Sequence, residues 1–323
     1  MKKHIYLDYS ATTPVDPKVL RAMLPYLRKE FANPSSIHQP GQRARAAVDE
    51  SRKTIADFLN CFSDEIIFTG SASEANNTII QKLIENKKKK GKLHIITSQI
   101  EHKAVLMPCE MLEKKNYAEV TYLPVYKDGV VKVSDVKKAI KGNTVLVSII
   151  FANNEIGSVQ PISEIGKVIE DINKKRKPSD KVYFHTDAVQ GVNYLERDVN
   201  KLGVDFLVFS GHKIYAPKGI GAFYIKKGSP ITPLIYGGGH EFGLRSGTEN
   251  VAGIVALATA VKEIQDPRAR VKNIRIRQLR DKLIKRILKD IPDSKLNGSL
   301  KNRLPNNANF SILGAEGEAL VIA

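Results

Sequence analysis

Long apolar runs are missing from the chain: nothing approaches the ~20 residues that a membrane-spanning helix needs. The N-terminus, MKKHIYLDYSATTP, starts basic but lacks the apolar stretch of a secretory signal, so a cytoplasmic location is the default expectation. Cysteine is scarce. Only Cys61 and Cys109 occur, with no CxxC and no Cys/His metal spacing. This argues against a disulfide framework and a structural zinc centre, and suits reduced thiols. Internal repeats and low-complexity linkers are lacking too. Acidic charge is in deficit: 51 Lys and Arg face 34 Asp and Glu, a formal net charge of +17. A surplus of that size is open to three readings: a solvated surface, an anionic substrate or partner, or a nucleic-acid face. The basic runs at 87–90 and 174–177 sit at the ends of amphipathic helices, where positive charge complements the helix dipole. A solvated surface is the preferred reading.

What is present is an alternation. With 323 residues, 42% hydrophobic and 26% charged, the chain suits one large globular domain with room for a smaller one. A helix is expected over Pro17 to Lys29, with Asp16 as N-cap and Pro17 in the first turn. Further helices are expected over Gln42 to Leu59, after Ser73, from Lys103 to Lys115 and over Ser163 to Lys174. Strands are expected at Ile66 to Thr69 and Leu93 to Thr97. The runs TVLVSII (144–150), VYFHT (182–186) and FLVFS (206–210) are apolar or β-branched throughout, as in strands of a parallel sheet covered on both faces. The pattern predicts an α/β fold with its site at the carboxyl ends of the strands. Two helices, 249–264 and 272–289, then precede a strand-like NFSIL. A large domain over 15–250 and a small one from 1–14 and 251–323 are expected. The apolar ending EGEALVIA reads as an incomplete C-terminus.

Four places after predicted strands carry chemistry. Thr69-Gly70-Ser71-Ala72-Ser73-Glu74 offers small residues and free N–H groups at a helix start, suited to a phosphate, although an ordinary serine N-cap explains it as well. His102 follows the second strand, and a lone histidine is often structural. Asp187, in HTDAVQ, leaves a buried strand and needs a cationic or hydrogen-bonding partner; it is either a strand cap or the holder of a protonated ring nitrogen. Lys213, in SGHK before APKGIG, stands directly after an apolar strand among small residues and histidine. Burial there would lower its pKa and make the amine a nucleophile toward carbonyls. Together these supply a phosphate cradle, a ring partner, an acid for a pyridinium and a Schiff-base amine, the set that pyridoxal phosphate requires.

With these residues in place, the sequence resembles the class V aminotransferase family of fold type I, and within it the cysteine desulfurases. The matching segments run nearly end to end: YLDYSATTP, NPSSIH, IIFTGSASEANN, EHKAVL, FANNEIGSVQPI, FHTDAVQ, SGHKIYAPKGIGAFYI, GGGHEFGLRSGTENV and NFSILGAEGEAL. The resemblance implies a large domain with a mostly parallel sheet, a smaller C-terminal α/β domain, and pyridoxal 5'-phosphate as cofactor with no metal. It implies that Lys213 binds the cofactor covalently and shuttles the substrate's Cα proton, and that His102, also catalytic, stacks on the ring and assists proton transfer. Asp187 would pair with the ring nitrogen, and Gln190 and Asn154 would contact the ring oxygen, Asn154 also lying near the substrate carboxylate. Ala72, Ser73, Ser210 and His212 would hold the phosphate. Thr248 would reach the phosphate of a second subunit, so a homodimer is expected.

Ser73 stands where the family usually has threonine, and keeps the hydroxyl. The family's loop cysteine, which takes the substrate sulfur, and a carboxylate-clamping arginine are expected beyond the EGEAL segment, outside this chain. Cys61 and Cys109 are read as packing residues, not substitutes. The implied reaction removes sulfur from L-cysteine, leaving alanine and a persulfide for an iron–sulfur scaffold or a tRNA-thiolation partner. Rival readings are a selenocysteine lyase or aminotransferase of the same family, or a non-catalytic basic protein that binds a partner or RNA.

Overall fold

The computed structural model describes residues 5–87 and 91–322. The first four residues, positions 88–90 of the first basic run, and Ala323 lie outside the described residues. Asp16 opens the first helix: its Oδ1 accepts from the Lys18 N–H at 2.7 Å, and Pro17 has no donor to lose, so α1 runs Pro17–Arg28. Helix α2, Gln39–Leu59, begins before the expected Gln42, because His38 Nδ1 caps the Gly41 N–H and Pro40 fits the first turn.

The chain then alternates. It forms β1 (Ile66–Thr69), α3 (Ala72–Asn86), β2 (Leu93–Ser98), α4 (Lys103–Lys114), β3 (Ala118–Leu123) and α5 (Val133–Ala139). Next come β4 (Thr144–Ser148), α6 (Ile162–Asn173), β5 (Tyr183–Asp187), α7 (Val199–Leu202), β6 (Phe206–Ser210) and β7 (Gly221–Ile225). The remainder is α8 (Val251–Gln265), α9 (Pro267–Asp290), β8 (Ser294–Leu296), β9 (Phe310–Ile312) and α10 (Gly317–Ile322). The strand expected to reach Ile150 ends at Ser148, where the chain turns into the site.

Seven strands form one sheet in the order β1-β7-β6-β5-β4-β2-β3. Neighbours from β6 through β3 are parallel, as expected, while β7 runs antiparallel to both β1 and β6. Side chains alternate between the faces: Leu207 and Phe209 join the apolar cluster with α2, α6 and α8, whereas Phe206 and Val208 join the one with α3 and α4. Burying each such side chain stabilises the fold by about 1.5–3 kcal/mol, so both faces of β6 are fixed. Because β7 is reversed, β1 points the same way as β6, and Thr69, Gly221 and Ser210 share one register row. The carboxyl ends of β1, β2, β4, β5 and β6 therefore share one edge.

Helix α8 packs its apolar side into the main cluster, on α1 and α2. Strands β8 and β9 pair separately as a short antiparallel sheet. Among the described residues, no helix is long and apolar enough to cross a membrane.

Candidate functional site

At that shared edge lies a cleft of about 740 Å³. Ala72, Ser73, His102, Asn154, Asp187, Gln190, Ser210, His212 and Lys213, all expected site residues, line it. Thr248 does not; it is exposed on the loop before α8.

Asp187 ends β5, where the backbone of Ala188 still pairs with β6 through the Val208 carbonyl. Its side chain is buried, and burial raises its pKa. Opposing that, Oδ1 accepts from the Val189 N–H at 3.0 Å and Oδ2 from Asn76 Nδ2 at 2.8 Å, with the charge of Lys213 adding to the effect. A carboxylate has about four acceptor positions, so two fixed donors leave room for a third from the cleft.

Lys213 closes a 3-10 turn over Gly211–Lys213, immediately after β6. Burial lowers its pKa, while Asp8 and Asp187 pull it back up. Its Nζ donates to the carbonyls of Ser10 and Ala11, at 2.5 and 2.7 Å. Those carbonyls belong to an N-terminal segment pinned to the same turn: the Thr13 N–H and hydroxyl donate to the His212 carbonyl, and Gln190 Nε2 donates to the Ser10 carbonyl at 2.9 Å. The amine is thus held by neutral carbonyls that can release it.

The start of α3, Ser71 to Ser73, lines the same cleft as the lysine. Ser71 caps α3, its Oγ accepting from the Glu74 N–H at 3.1 Å, and the first turn of a helix carries N–H groups that lack an intrahelical partner and suit an anion. Glu74 Oε2 accepts from the Gly70 N–H and its Oε1 from Arg245 Nε, which ties the loop carrying Thr248 to this helix start. Gly221 passes close behind: a Cβ there would stand 3.1 Å from Ser71 C and 3.2 Å from Ala72 N. The glycine lets the strand row approach the helix start.

His102 is the exposed N-cap of α4, with Nδ1 accepting from the Ala104 N–H at 3.1 Å. That bond leaves the ring proton on Nε2. The helix cap and the place in the cleft lining thus belong to the same side chain. Before it, Glu101 is buried, and burial pushes its carboxyl up to about 8; Oε1 accepts from Ser98 Oγ and the Ile150 N–H. Cys109 is wholly buried and Cys61 half-buried. Burial pushes the Cys61 thiol up to about 12 and the Cys109 thiol higher still, so neither is a ready thiolate.

Several lining residues escaped the sequence reading: Asp8, Ser10, Asn76, and Asn306 and Asn307 from the segment before β9. Their contacts join positions far apart in the chain; the matched segments YLDYSATTP and IIFTGSASEANN cover Asp8, Ser10 and Asn76 without singling them out.

The pattern of the Aminotransferase class-V family matches residues 5–323. The chain belongs to that family. It is 47% identical over 330 residues to "Cysteine desulfurase IscS" of Dictyoglomus turgidum, an alignment covering 100% of this chain and 79% of the relative. A solved structure described as a NifS-like protein superposes with a TM-score of 0.92 at 38% identity, covering 98% of this chain and 84% of the other. Another, described as SspA in complex with cysteine, gives a TM-score of 0.85 at 38% identity over 99% of this chain and 86% of its own. The fold is therefore that of fold type I enzymes. Pyridoxal phosphate is the family's cofactor, and the residues present fit it: a buried acid with acceptor capacity to spare, a lysine of lowered pKa, and a helix start that a Cβ at Gly221 would crowd.

Proposed function

We propose that this class-V enzyme is a pyridoxal-phosphate-dependent cysteine desulfurase, taking L-cysteine to L-alanine and passing the sulfur on as a persulfide. One observation carries the reading: Lys213, Asp187 and the start of α3 converge on one cleft, in a chain 47% identical along its whole length to a relative named a cysteine desulfurase. When bound, pyridoxal phosphate supplies a carbonyl for amines and a ring that draws electrons from the substrate's Cα. Lys213 would bind the cofactor's carbonyl and move the Cα proton. Asp187 would accept from the ring nitrogen and favour its protonated form. Ala72, Ser73, Ser210 and His212 would hold the phosphate; Gln190 and Asn154 would orient the ring oxygen and the substrate; His102 would pack on the ring and assist proton transfer. The sulfur must meet a thiolate that neither Cys61 nor Cys109 provides.

Thr248, exposed on a loop braced by Arg245 and Glu74, serves the cleft of a second copy in a homodimer. A cytoplasmic setting, an iron–sulfur scaffold or tRNA-thiolation acceptor, and a division into 15–250 and 1–14 with 251–323, in which α8 of the second part packs on α1 and α2 of the first, complete the proposal.

Borohydride reduction of the purified protein with pyridoxal phosphate, followed by peptide mapping, should place the label on Lys213, and Lys213→Ala should abolish it. A label on Lys218 would overturn the assignment. Alanine should form from L-cysteine; amino-group transfer to a keto acid without sulfur release would instead make the enzyme an aminotransferase.

A further inference from the structure

Asn76 sits one turn into α3, is fully buried, and lines the cleft. Its Nδ2 donates to Asp187 Oδ2 at 2.8 Å, while its Oδ1 is buried with no hydrogen-bond partner. An amide with one bare end is a poor choice for stability, since buried polar atoms are normally satisfied and an apolar side chain of equal volume would pack without that cost. What the amide does provide is a fixed donor from the helix whose first turn, Ala72 and Ser73, forms the phosphate cradle. The groups facing Asp187 come from four places: Asn76 on α3, the Val189 N–H on its own loop, Lys213 after β6, and His102 with buried Glu101 ahead of α4. Among the described residues, only Asn76 links the acid directly to the cradle helix.

We propose that Asn76 is a positioning residue that holds Asp187 toward the cofactor's ring nitrogen, so that the helix gripping the phosphate also aims the acid. This rests on the pyridoxal-phosphate reading of the cleft. Losing the donor loosens the Asp187 carboxylate and favours its neutral form, which weakens its hold on the ring nitrogen and leaves the phosphate grip intact.

The test compares two ligands on protein stripped of cofactor: pyridoxal phosphate, and its analogue with carbon in place of the ring nitrogen. Fluorescence titration of the wild type should favour pyridoxal phosphate. Asn76→Ala should weaken pyridoxal phosphate by roughly tenfold and the analogue by less than about twofold, since only the first can use the acid. Asn76→Leu keeps the volume without the donor and should show the same discrimination, which separates the hydrogen bond from a cavity. In an Asp187→Asn background, Asn76→Ala should add less than about twofold. Equal weakening of both ligands, or no change in either, would overturn the proposal. A wild type that binds neither ligand would overturn the cofactor reading itself, a result distinct from failure at Asn76.

Discussion

Asp187 is a carboxyl whose burial raises its pKa, and its ionised form depends on donors: the Val189 N–H, Asn76 and, in the proposed complex, a ring nitrogen. A hydrogen bond to a charged group contributes about 1.5–3 kcal/mol, so Asp187→Asn should slow exchange of the substrate's Cα proton by roughly 10- to 100-fold. Deuterium incorporation into the substrate, followed by NMR, measures this. Exchange at the wild-type rate would reduce Asp187 to a strand cap. The acid and the lysine were legible because each is a charged residue placed directly after an apolar run. Asn76 was not legible: it lies within a helix, and its partner is 111 residues away.

At the scale of elements, the close approach of β7 to the start of α3 is the feature most open to test. A Cβ at Gly221 would meet Phe209 O at 3.0 Å as well as Ser71 C and Ala72 N, all backbone atoms that cannot rotate away. Gly221→Ala should therefore displace the cradle and lower affinity for pyridoxal phosphate by roughly tenfold, or ~1.4 kcal/mol, with little effect on pyridoxal, which lacks the phosphate. Equal losses for both would show that the strand does not shape the cradle. Elements with local signals were the easiest to read. Asp16 with Pro17 marked α1, and FLVFS marked β6 residue for residue. Strand β7 stayed hidden because GAFYI opens on two small residues and finds both partners at a distance. The 174–177 run also holds more than solvated charge: Arg176 donates to the carbonyls of Lys141, Thr144 and Asp180, fastening the start of β4.

Across the whole molecule, buried titratable groups set how stability depends on pH. Burial raises Glu101 from its ordinary 4.5 to about 8, so folding takes up a proton between those values and stability falls as pH rises through that window. Burial lowers His94 to about 4 and His185 to about 3 from 6.5, so stability also falls as pH drops below about 6.5. Glu101→Gln removes the first effect. Thermal melts should show the variant gaining on the wild type between pH 5 and pH 8, by up to about 1.4 kcal/mol per pH unit. A constant difference would mean that Glu101 is ionised in the fold. Much of the charge surplus, meanwhile, lies on α9, which carries ten Lys and Arg against two Asp and buries only Ile284. The row of Thr69, Gly221 and Ser210 ties assembly to chemistry. A strand that slipped by one residue would turn Ser210 to the opposite face and move Gly221 away from the helix start. Such a mispaired sheet could not hold a phosphate. Any ligand that binds only the native pairing draws the population toward it by RT ln(1 + [L]/Kd). A cofactor held there, as proposed, would favour the correct strand pairing, and the colour it lent a preparation would report the molecules whose hairpin had closed in register.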